Sequence, residues 1–375
     1  MLSNMIMNSR TLGTSGPTVS SIGLGAMGMS DLYGPTDEGE SIATIHAAID
    51  AGVTLIDTGD FYGSGHNELL IARALRDRDR DAVRISVKFG ALRDPAGGWN
   101  GNDGRPAAVK NFLAGTLTRL QADHVDVYRP ARVDPDVPIE ETIGAIAEMV
   151  QAGYVRHIGL SEVGPDTIRR AAAVHPISDV QTEYSLLSRG IESEILPTAR
   201  ELGIGVTAYG VLSRGLLSGH WSPERELSAH DFRTFSPRFQ GENLQHNLAL
   251  VESLREMARE RHATVAQVAI AWVLTRGADV VPLVGARRRE RLHEALGALD
   301  VELRDADVAR VEEALPRGRR GPLSRVRPGR ARQREERGSH IDVRSRVTTT
   351  CARARARCRR SRRARRAQPC PPRTA

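Results

Sequence analysis

Cysteine is nearly missing from this 375-residue chain, which excludes several kinds of site. The three cysteines lie close to the C-terminal end, at Cys351, Cys358 and Cys370. The rest of the chain therefore has no disulfide, thiolate nucleophile or cysteine metal site, a composition that suits the reducing cytoplasm. The eleven histidines show no H-x-x-x-H pair or His/carboxylate cluster at ligand spacing, so we expect no metal site.

Long apolar runs are also missing. None approaches the roughly 18–20 residues that cross a bilayer. The N-terminal sequence MLSNMIMNSR lacks the extended apolar core and the cleavage site of a secretory signal. We therefore expect a soluble, cytoplasmic protein with no membrane partner.

Acidic residues become scarce at the C-terminal end, where the composition changes abruptly. Residues 317–375 contain 21 arginines, no lysine and three acidic residues, whereas residues 1–316 contain 32 basic and 43 acidic residues. The sequence therefore predicts an acidic globular domain over residues 1–316, followed by a disordered basic tail over residues 317–375. The net charge of +7 for the whole chain consequently gives no reason to expect that the globular part binds nucleic acid.

Two interpretations of the tail stay open. Its Arg-Ala alternation is typical of an arm that contacts the phosphates of nucleic acid or of an acidic membrane. Alternatively, the tail derives from a frameshift, because Arg, Ala, Pro, Ser and Cys are what a GC-rich gene yields in the wrong reading frame. We favour the frameshift, since a well-patterned helix at 305–315 ends abruptly, and we expect no nucleic-acid partner except through the tail.

Short β-rich runs alternate with helical stretches along residues 1–316. The runs lie at 19–25, 54–59, 83–90, 125–131, 155–161, 179–184, 205–210 and 280–285. Between them apolar residues recur three and four apart, as in Ile42, Ile45 and Ile49, which indicates amphipathic helices. Eight such units fit a closed (β/α)₈ TIM barrel or an open doubly wound sheet, and the strand number and domain length favour the barrel. Two longer segments, 94–105 and 218–242, are predicted functional loops.

A glycine motif in the first run, Gly23-Leu-Gly25-Ala-Met-Gly28, matches the dinucleotide fingerprint G-x-G-x-x-G. That fingerprint needs a helix that begins inside it, so that the helix N-terminus meets the pyrophosphate. Here a loop follows, and no acidic residue ends a second strand about 20 residues later. We therefore reject a Rossmann site, although the glycines still let a ligand approach the backbone at this strand end.

Three residues near strand ends have the properties of a proton-transfer site. Asp57 ends the second run, Tyr62 follows five residues later, and Lys88 ends the third run. In a barrel all three would lie at the C-terminal rim. A nearby ammonium favours the phenolate of a tyrosine and so lowers its pKa, and a carboxylate would hold the lysine in position. The trio therefore predicts a proton donor to a carbonyl oxygen.

Six motifs in this order closely resemble those of the aldo-keto reductase superfamily, and the resemblance covers about residues 10–315. They are Asp57-Thr-Gly-Asp-Phe-Tyr62-Gly, Ser86-Val-Lys88-Phe-Gly, Gly159-Leu-Ser161-Glu162, Gln181-Thr-Glu-Tyr184-Ser, Ala208-Tyr209-Gly-Val-Leu-Ser-Arg-Gly215 and Val281-Pro-Leu-Val-Gly285. The resemblance implies a (β/α)₈ barrel that binds NADPH without a Rossmann fold. It also implies that Tyr62 is the general acid, Lys88 the partner that lowers its pKa, and Asp57 the counter-charge of the lysine.

The same resemblance implies a set of cofactor and substrate residues. The cofactor residues would be Gly25, Ala26, Met27, Ser161, Glu162, Gln181, Tyr209, Gly210, Leu212, Arg214, Gly285, Arg287, Arg291 and Glu294. Ser161 and Gln181 would bind the nicotinamide carboxamide, and Tyr209 would stack on its ring. The arginines after Gly285 would hold the adenosine 2′-phosphate, to which their bidentate donors are suited. Tyr33, Trp99, the 218–242 segment and the C-terminal segment would form the substrate pocket.

Two positions depart from the family pattern. Ala131 stands where the family has a catalytic histidine, and Ala295 stands where it usually has an asparagine that touches adenine. His124 and His157 lie nearby in sequence, but the first precedes the strand and the second is early in the next one, so neither is expected to substitute. Loss of an imidazole donor to the carbonyl typically costs on the order of 10²–10³ in rate.

These residues predict an NADPH-dependent oxidoreductase that reduces small aldehydes or ketones to alcohols. The missing imidazole motivates an alternative of another class, a sensor or regulatory subunit that binds NADP(H) but turns over very slowly. Some relatives within the resembled family, such as the β subunits of potassium channels, resemble this role. The physiological substrate and the oligomeric state are not predicted by the sequence.

Overall fold

Eight parallel strands close into a barrel in the computed structural model of the chain. The structure describes residues 7–30, 33–222, 224–228 and 231–314. Its strands in chain order are β1 (Ser9–Thr11), β2 (Thr18–Ser20), β3 (Gly23–Gly25), β4 (Leu55–Gly59), β5 (Arg84–Phe89), β6 (Ala91–Arg93), β7 (Trp99–Asn102), β8 (Val125–Pro130), β9 (Val155–Ser161), β10 (Ile177–Glu183), β11 (Gly205–Tyr209) and β12 (Val280–Gly285). The barrel runs β3–β4–β5–β8–β9–β10–β11–β12 and returns to β3. The predicted TIM barrel is confirmed.

A helix follows every barrel strand before the next one begins. The helices are α1 (Glu38–Asp50), α2 (His66–Leu75), α3 (Pro106–Leu120), α4 (Ile139–Gln151), α5 (Pro165–Val174), α6 (Ile195–Glu201), α7 (Gly241–Glu260), α8 (Val265–Leu274), α9 (Arg289–Leu296) and α10 (Asp305–Ala314). Their apolar stripes, such as Ile45 and Ala48 of α1, pack on the outside of the barrel. In strand–helix–strand units of this kind both faces of each barrel strand are covered. Every residue of β4 and β8 is accordingly buried.

The first predicted run, 19–25, is wrong as a single strand. The structure divides it into β2, which pairs antiparallel with β1, and β3, which enters the barrel. The backbone bends at Ser21 and Ile22. Just before the bend, Ser20 exchanges hydrogen bonds with Thr54: its amide donates to Thr54 Oγ1 (2.7 Å), and its Oγ accepts from the Thr54 amide (2.9 Å). The β1–β2 hairpin places Leu12 and Val19 against the barrel end, where both are buried.

The two predicted loops contain regular structure. Within the predicted loop 94–105 lies β7, which pairs antiparallel with β6. Residues 218–242 hold two short 3₁₀ turns, Phe232–Phe235 and Pro237–Phe239. After the glycine motif the chain forms a 3₁₀ turn, Met27–Met29, rather than the long helix that a Rossmann site needs.

Within the described residues, no helix has the length and apolar character needed to cross a membrane. The predicted basic tail, 317–375, lies outside the described residues, as does the end of the predicted 305–315 helix.

Candidate active site

Asp57 and Lys88 form a buried ion pair inside the mouth of the barrel. They come from the neighbouring strands β4 and β5, whose register sets Asp57 beside Ser86 and Gly59 beside Lys88. Lys88 Nζ donates to Asp57 Oδ1, and both residues are 4% exposed. A buried charge is tolerated when it is paired and hydrogen-bonded, so this contact fixes the lysine close to the strand ends.

Tyr62 lies directly above this pair. It begins a 3₁₀ turn, Tyr62–Gly65, in which Gly63 and Ser64 adopt left-handed φ angles of 56° and 52°, so the loop after β4 folds back over the barrel. Lys88 Nζ is 5.2 Å from the centroid of the Tyr62 ring. Within the described part of the chain, the Tyr62 hydroxyl forms no hydrogen bond, which leaves it available to a ligand. The structure therefore brings together the three residues that the sequence singled out.

The electrostatic expectation for Tyr62 differs from what the structure gives. Burial raises the pKa of Tyr62 well above its ordinary value, the charges of Asp57 and Tyr209 raise it further, and Arg132 and Arg214 oppose the rise. Burial also lowers the pKa of Lys88, against the opposing effect of Asp57. Burial thus opposes the lowering of the Tyr62 pKa that the sequence predicts, and the role of Lys88 toward Tyr62 stays a prediction.

A second buried ion pair underlies the first, and sequence reasoning missed it. Arg129 of β8 donates to both carboxylate oxygens of Asp179 on β10, with N–O distances of 2.7 and 3.2 Å, and both side chains are fully buried. Arg129 also donates to Ser86 Oγ (3.1 Å), which in turn donates to Asp57 Oδ2 (2.8 Å). A hydrogen-bonded chain thus joins the two ion pairs. Its signal in the sequence was a charged residue inside each of two predicted strands, Arg129 in one and Asp179 in the other.

The predicted carboxamide residues lie side by side on β9 and β10, where Ser161 pairs in register with Gln181. Ser161 Oγ is buried and has no hydrogen-bond partner among the described residues. Gln181 Nε2 instead donates to Asp57 Oδ2 (2.7 Å). Glu162 adopts a left-handed φ of 54°, and its Oε1 accepts a hydrogen bond from the Glu183 amide (2.8 Å). An unpartnered buried hydroxyl needs a ligand or water to satisfy it, so this position fits an amide group.

Arginine covers the predicted stacking face. The Arg214 guanidinium lies 5.2 Å from the centroid of the Tyr209 ring and 5.1 Å from that of Phe232. Arg214 and Arg238 both reach Glu183, at 3.5 and 2.8 Å. Burial alone would raise the pKa of Glu183, but the two arginines outweigh it and hold that pKa below its ordinary value.

The loop after β11 carries two further predicted cofactor residues. Gly210 has a left-handed φ of 66°, and a Cβ there would lie 3.2 Å from Glu183 Cγ. Leu212 precedes the 3₁₀ turn Ser213–Ser218, and its carbonyl accepts from the amides of Gly215 (2.9 Å) and Leu217 (3.0 Å). These contacts form a compact turn close to Tyr209, whose own carbonyl accepts from the Tyr184 amide.

Gly25 and Gly285 pair in register at the C-terminal ends of β3 and β12. A Cβ added to either glycine would meet only ordinary contacts, at 3.8–3.9 Å. Ala26 follows Gly25, and its amide donates to the Asp57 carbonyl (2.9 Å), while Met27 opens the next 3₁₀ turn. The backbone at this rim is therefore left open to a ligand by the absence of side chains.

A cluster of arginines lies beside these two strand ends. Burial lowers the pKa of Arg287, and the charges of Arg233, Arg288 and Arg225 lower it further, against the single opposing carboxylate of Asp231. Such a crowding of like charges is costly unless an anion joins it. Sequence reasoning identified Arg287 but missed Arg225 and Arg233, because they lie in the segment without periodicity.

The contacts of Arg287 and Arg291 differ. Arg287 donates to the carbonyls of Tyr33 (3.1 Å) and Pro35 (3.3 Å), which ties the loop after β3 to β12. Arg291 donates to Glu294 Oε2 (2.9 Å), and the same carboxylate contacts His220 (3.1 Å). Arg291 and Glu294 thus contact each other on α9.

Aromatic side chains border the mouth on two sides. On one side Trp99, Phe61 and Tyr62 follow each other edge to face, with centroid distances of 5.6 and 4.8 Å. On the other side the Tyr33 ring meets Phe232 at 5.2 Å. Trp99 is 48% exposed, so it is accessible to a substrate.

The two departures from the family pattern occupy different environments. Ala131 follows β8 at the rim, and Ala295 packs in the hydrophobic core; both are 2% exposed. His124 precedes β8 and contacts Asp123, and burial lowers the pKa of His157, which lies early in β9. Both histidines therefore lie toward the opposite end of the barrel from Tyr62.

Comparisons with known proteins match the chain to one family. The model of the Aldo/keto reductase family matches residues 21–316. The chain is 42% identical over 313 residues to "Probable aldo-keto reductase 1" of Glycine max, an alignment that covers 82% of this chain and 88% of that protein.

Solved structures are similar as well. The glycerol dehydrogenase AKR11B4 of Gluconobacter oxydans superposes with a TM-score of 0.76 at 29% identity, covering 83% of this chain and 96% of its own. The holo form of the aldo-keto reductase AKR11C1 of Bacillus halodurans gives a TM-score of 0.68 at 26% identity, covering 83% and 97%.

Proposed function

Because the chain belongs to the aldo/keto reductase family of oxidoreductases, we propose that it reduces aldehydes or ketones to alcohols with NADPH. Oxidoreductases of this family act on small carbonyl compounds with a nicotinamide cofactor. We further propose that Tyr62 donates the proton. The contact of Lys88 with Asp57 beside the Tyr62 ring supports this proposal best. When bound, the cofactor supplies the hydride that the carbonyl carbon accepts.

The residues of the mouth would divide the work of binding and proton transfer. Ser161 would satisfy its unpartnered hydroxyl on the carboxamide, and Gln181 would turn from Asp57 to join it. For Tyr209 to stack on the nicotinamide, Arg214 would have to lie on one face of its ring and the cofactor on the other. The Tyr62 hydroxyl would give its proton to the carbonyl oxygen and would regain it from solvent.

The test of this function is direct. Purified chain, supplied with NADPH and a panel of aldehydes and ketones, should consume NADPH and form alcohol in equal amounts.

Ala131 favours the alternative of an NADP(H)-binding sensor, because the site lacks the imidazole donor. Tight NADPH binding with no product from any carbonyl would contradict the reductase and support the sensor.

Cofactor preference makes a separate prediction at α9. The Arg291→Ala variant should weaken NADPH binding by about 10- to 100-fold, because a hydrogen bond to a charged group contributes roughly 1.5–3 kcal/mol. NADH, which lacks the 2′-phosphate, should bind the variant and the wild type alike. Fluorescence titration with each cofactor measures both affinities.

Arg289→Ala is the matched control on the same helix. Although Arg289 is one of the arginines after Gly285, its guanidinium pairs with Glu40 of α1 (2.9 Å), so we expect its loss to leave NADPH affinity unchanged. Equal losses of NADPH and NADH affinity in Arg291→Ala would argue against a 2′-phosphate contact.

A further inference from the structure

The rim of the barrel lacks a second donor at position 131. The Ala131 amide donates to the Phe89 carbonyl (2.8 Å), so the backbone here continues the pairing of β8 with β5, the strand of Lys88. Its methyl group has no proton to donate. A carbonyl oxygen at Tyr62 would therefore receive one hydrogen bond from the phenol and none from this side chain.

The next residue supplies a cation at the same point of the rim. Arg132 donates through Nη1 to the Ala131 carbonyl (2.6 Å), which holds its guanidinium beside the residue that replaces the imidazole. Arg132 forms no ion pair with any residue that the structure describes. Asp134, its nearest acidic neighbour in sequence, accepts instead from the amides of Gly104 (2.9 Å) and Asp136 (3.0 Å). Most of the five donors of Arg132 are thus uncommitted.

The charge of Arg132 reaches three residues around the mouth. It lowers the pKa of Tyr62, although burial dominates there, and it adds to the lowering of the Lys88 pKa. It also opposes the burial that raises the pKa of Tyr209. If the carbonyl binds at Tyr62, as the proposed function requires, the Arg132 charge would also act on the carbonyl oxygen.

Other cations near the mouth already have partners. Lys88 contacts Asp57, and Arg214 contacts Glu183 while it covers the Tyr209 ring. His66 is tied to Ser30 (2.8 Å). Among the described residues of the mouth, Arg132 is the cation that combines this position with free donors.

We propose that Arg132 donates the second hydrogen bond to the substrate carbonyl oxygen, in place of the histidine that the family has at position 131. The proposal rests on the proposed function. As the carbon accepts hydride, the π electron pair moves to oxygen, and that oxygen takes its proton from Tyr62. Arg132 keeps all its protons and stabilises the growing negative charge.

The test compares Arg132→Ala with the wild type in the full chain. With benzaldehyde, we expect kcat to fall by about 10²–10³-fold, the usual effect of removing one such donor. NADPH affinity should stay the same, and millimolar guanidinium ion should restore part of the lost rate. As a readout without turnover, benzoate should raise the Tm of the NADP⁺-loaded wild type but not of the variant, because its carboxylate mimics the charged oxygen.

Arg170→Ala is the control, since Arg170 is an exposed arginine of α5 that pairs with Glu140 of α4 (2.7 Å) and has no place in the proposed site. It should match the wild type in rate and in benzoate response. Wild-type-like kcat and benzoate response in Arg132→Ala would overturn the proposal while the reductase function stands. A loss confined to 4-carboxybenzaldehyde, with benzaldehyde unaffected, would also overturn it, because Arg132 would then bind a substrate carboxylate. Absence of turnover in the wild type would refute both the function and this role.

Discussion

The Tyr62→Phe variant should lose about 10²–10⁴-fold in kcat for carbonyl reduction, the contribution expected of a positioned general acid. The substitution removes one oxygen and keeps the ring, which is buried and packs against Phe61 at 4.8 Å. The Asp57–Lys88 pair does not depend on the hydroxyl. Stability and NADPH affinity should therefore stay near those of the wild type. Steady-state kinetics with a saturating aldehyde, together with cofactor titration, measure the difference.

Tyr128→Phe is a matched control for this loss. Tyr128 is also buried and stacks on Phe89 at 4.3 Å, but its hydroxyl donates to the Val109 carbonyl of α3 (3.3 Å), outside the barrel interior. Removal of that hydroxyl should leave kcat unchanged. If the two variants turned over equally fast, Tyr62 would not be the proton donor.

The pH dependence of reduction follows from the same residue. A general acid must be protonated, so its contribution is present below its pKa and lost as the pH rises through it. Burial raises the pKa of Tyr62 and lowers that of Lys88, whose Nζ lies 5.2 Å from the centroid of the Tyr62 ring. The rate of reduction should therefore be flat around neutrality and fall in alkali, with a limb that belongs to the coupled pair.

The barrel could be predicted because its signals are local. Runs of apolar and β-branched residues separated by amphipathic stretches define eight units whatever their partners are. The break between β2 and β3 could not be predicted, because it depends on the hydrogen bonds of Ser20 with Thr54, 34 residues away. The β6–β7 hairpin had a usable signal, since the turn-forming sequence Asp94-Pro-Ala-Gly-Gly separates its two strands.

The candidate site, like the fold, could be predicted from the sequence only in part. Asp57, Tyr62 and Lys88 were found because each lies at or near the end of a recognisable strand. The Arg129–Asp179 pair joins residues 50 positions apart, so spacing gave no hint of it. The direction of the Tyr62 pKa shift also escapes sequence reasoning, because its largest cause is burial, which depends on the tertiary fold.

Charge is distributed unevenly over the protein. Residues 1–316 are acidic overall, with 43 acidic against 32 basic residues, yet arginines gather at the mouth of the barrel. Arg225, Arg233 and Arg288 surround Arg287 on the cofactor side, and Arg132 and Arg214 act on Tyr62. A local positive field on an acidic molecule concentrates anions at that one place. This arrangement suits a dinucleotide phosphate as ligand.

Arg129→Met should destabilise the protein by about 3–5 kcal/mol, the usual effect of breaking a buried ion pair. The variant leaves the Asp179 carboxylate fully buried with its cation gone, although Ser178 still donates to it (2.8 Å). Ser86 loses a donor in the same step. Little room exists for rearrangement, because Arg129 packs so closely on Gly159 that a Cβ there would lie 2.8 Å from its Cζ. Urea unfolding of each variant gives the free energy of unfolding.

The double variant Arg129→Met/Asp179→Leu separates the cost of an unpaired charge from the worth of the pair. Because both charges are removed, it should be more stable than Arg129→Met, and the coupling energy follows from the double-mutant cycle. Arg169→Met is the surface control: Arg169 pairs bidentately with Glu201 (2.7 and 2.8 Å), but both side chains are exposed, so its effect should be far smaller. If Arg129→Met were at least as stable as Arg169→Met, the buried Arg129–Asp179 pair would not stabilise the barrel interior. The position of Asp57 would then not depend on the hydrogen bonds that link it through Ser86 to Arg129.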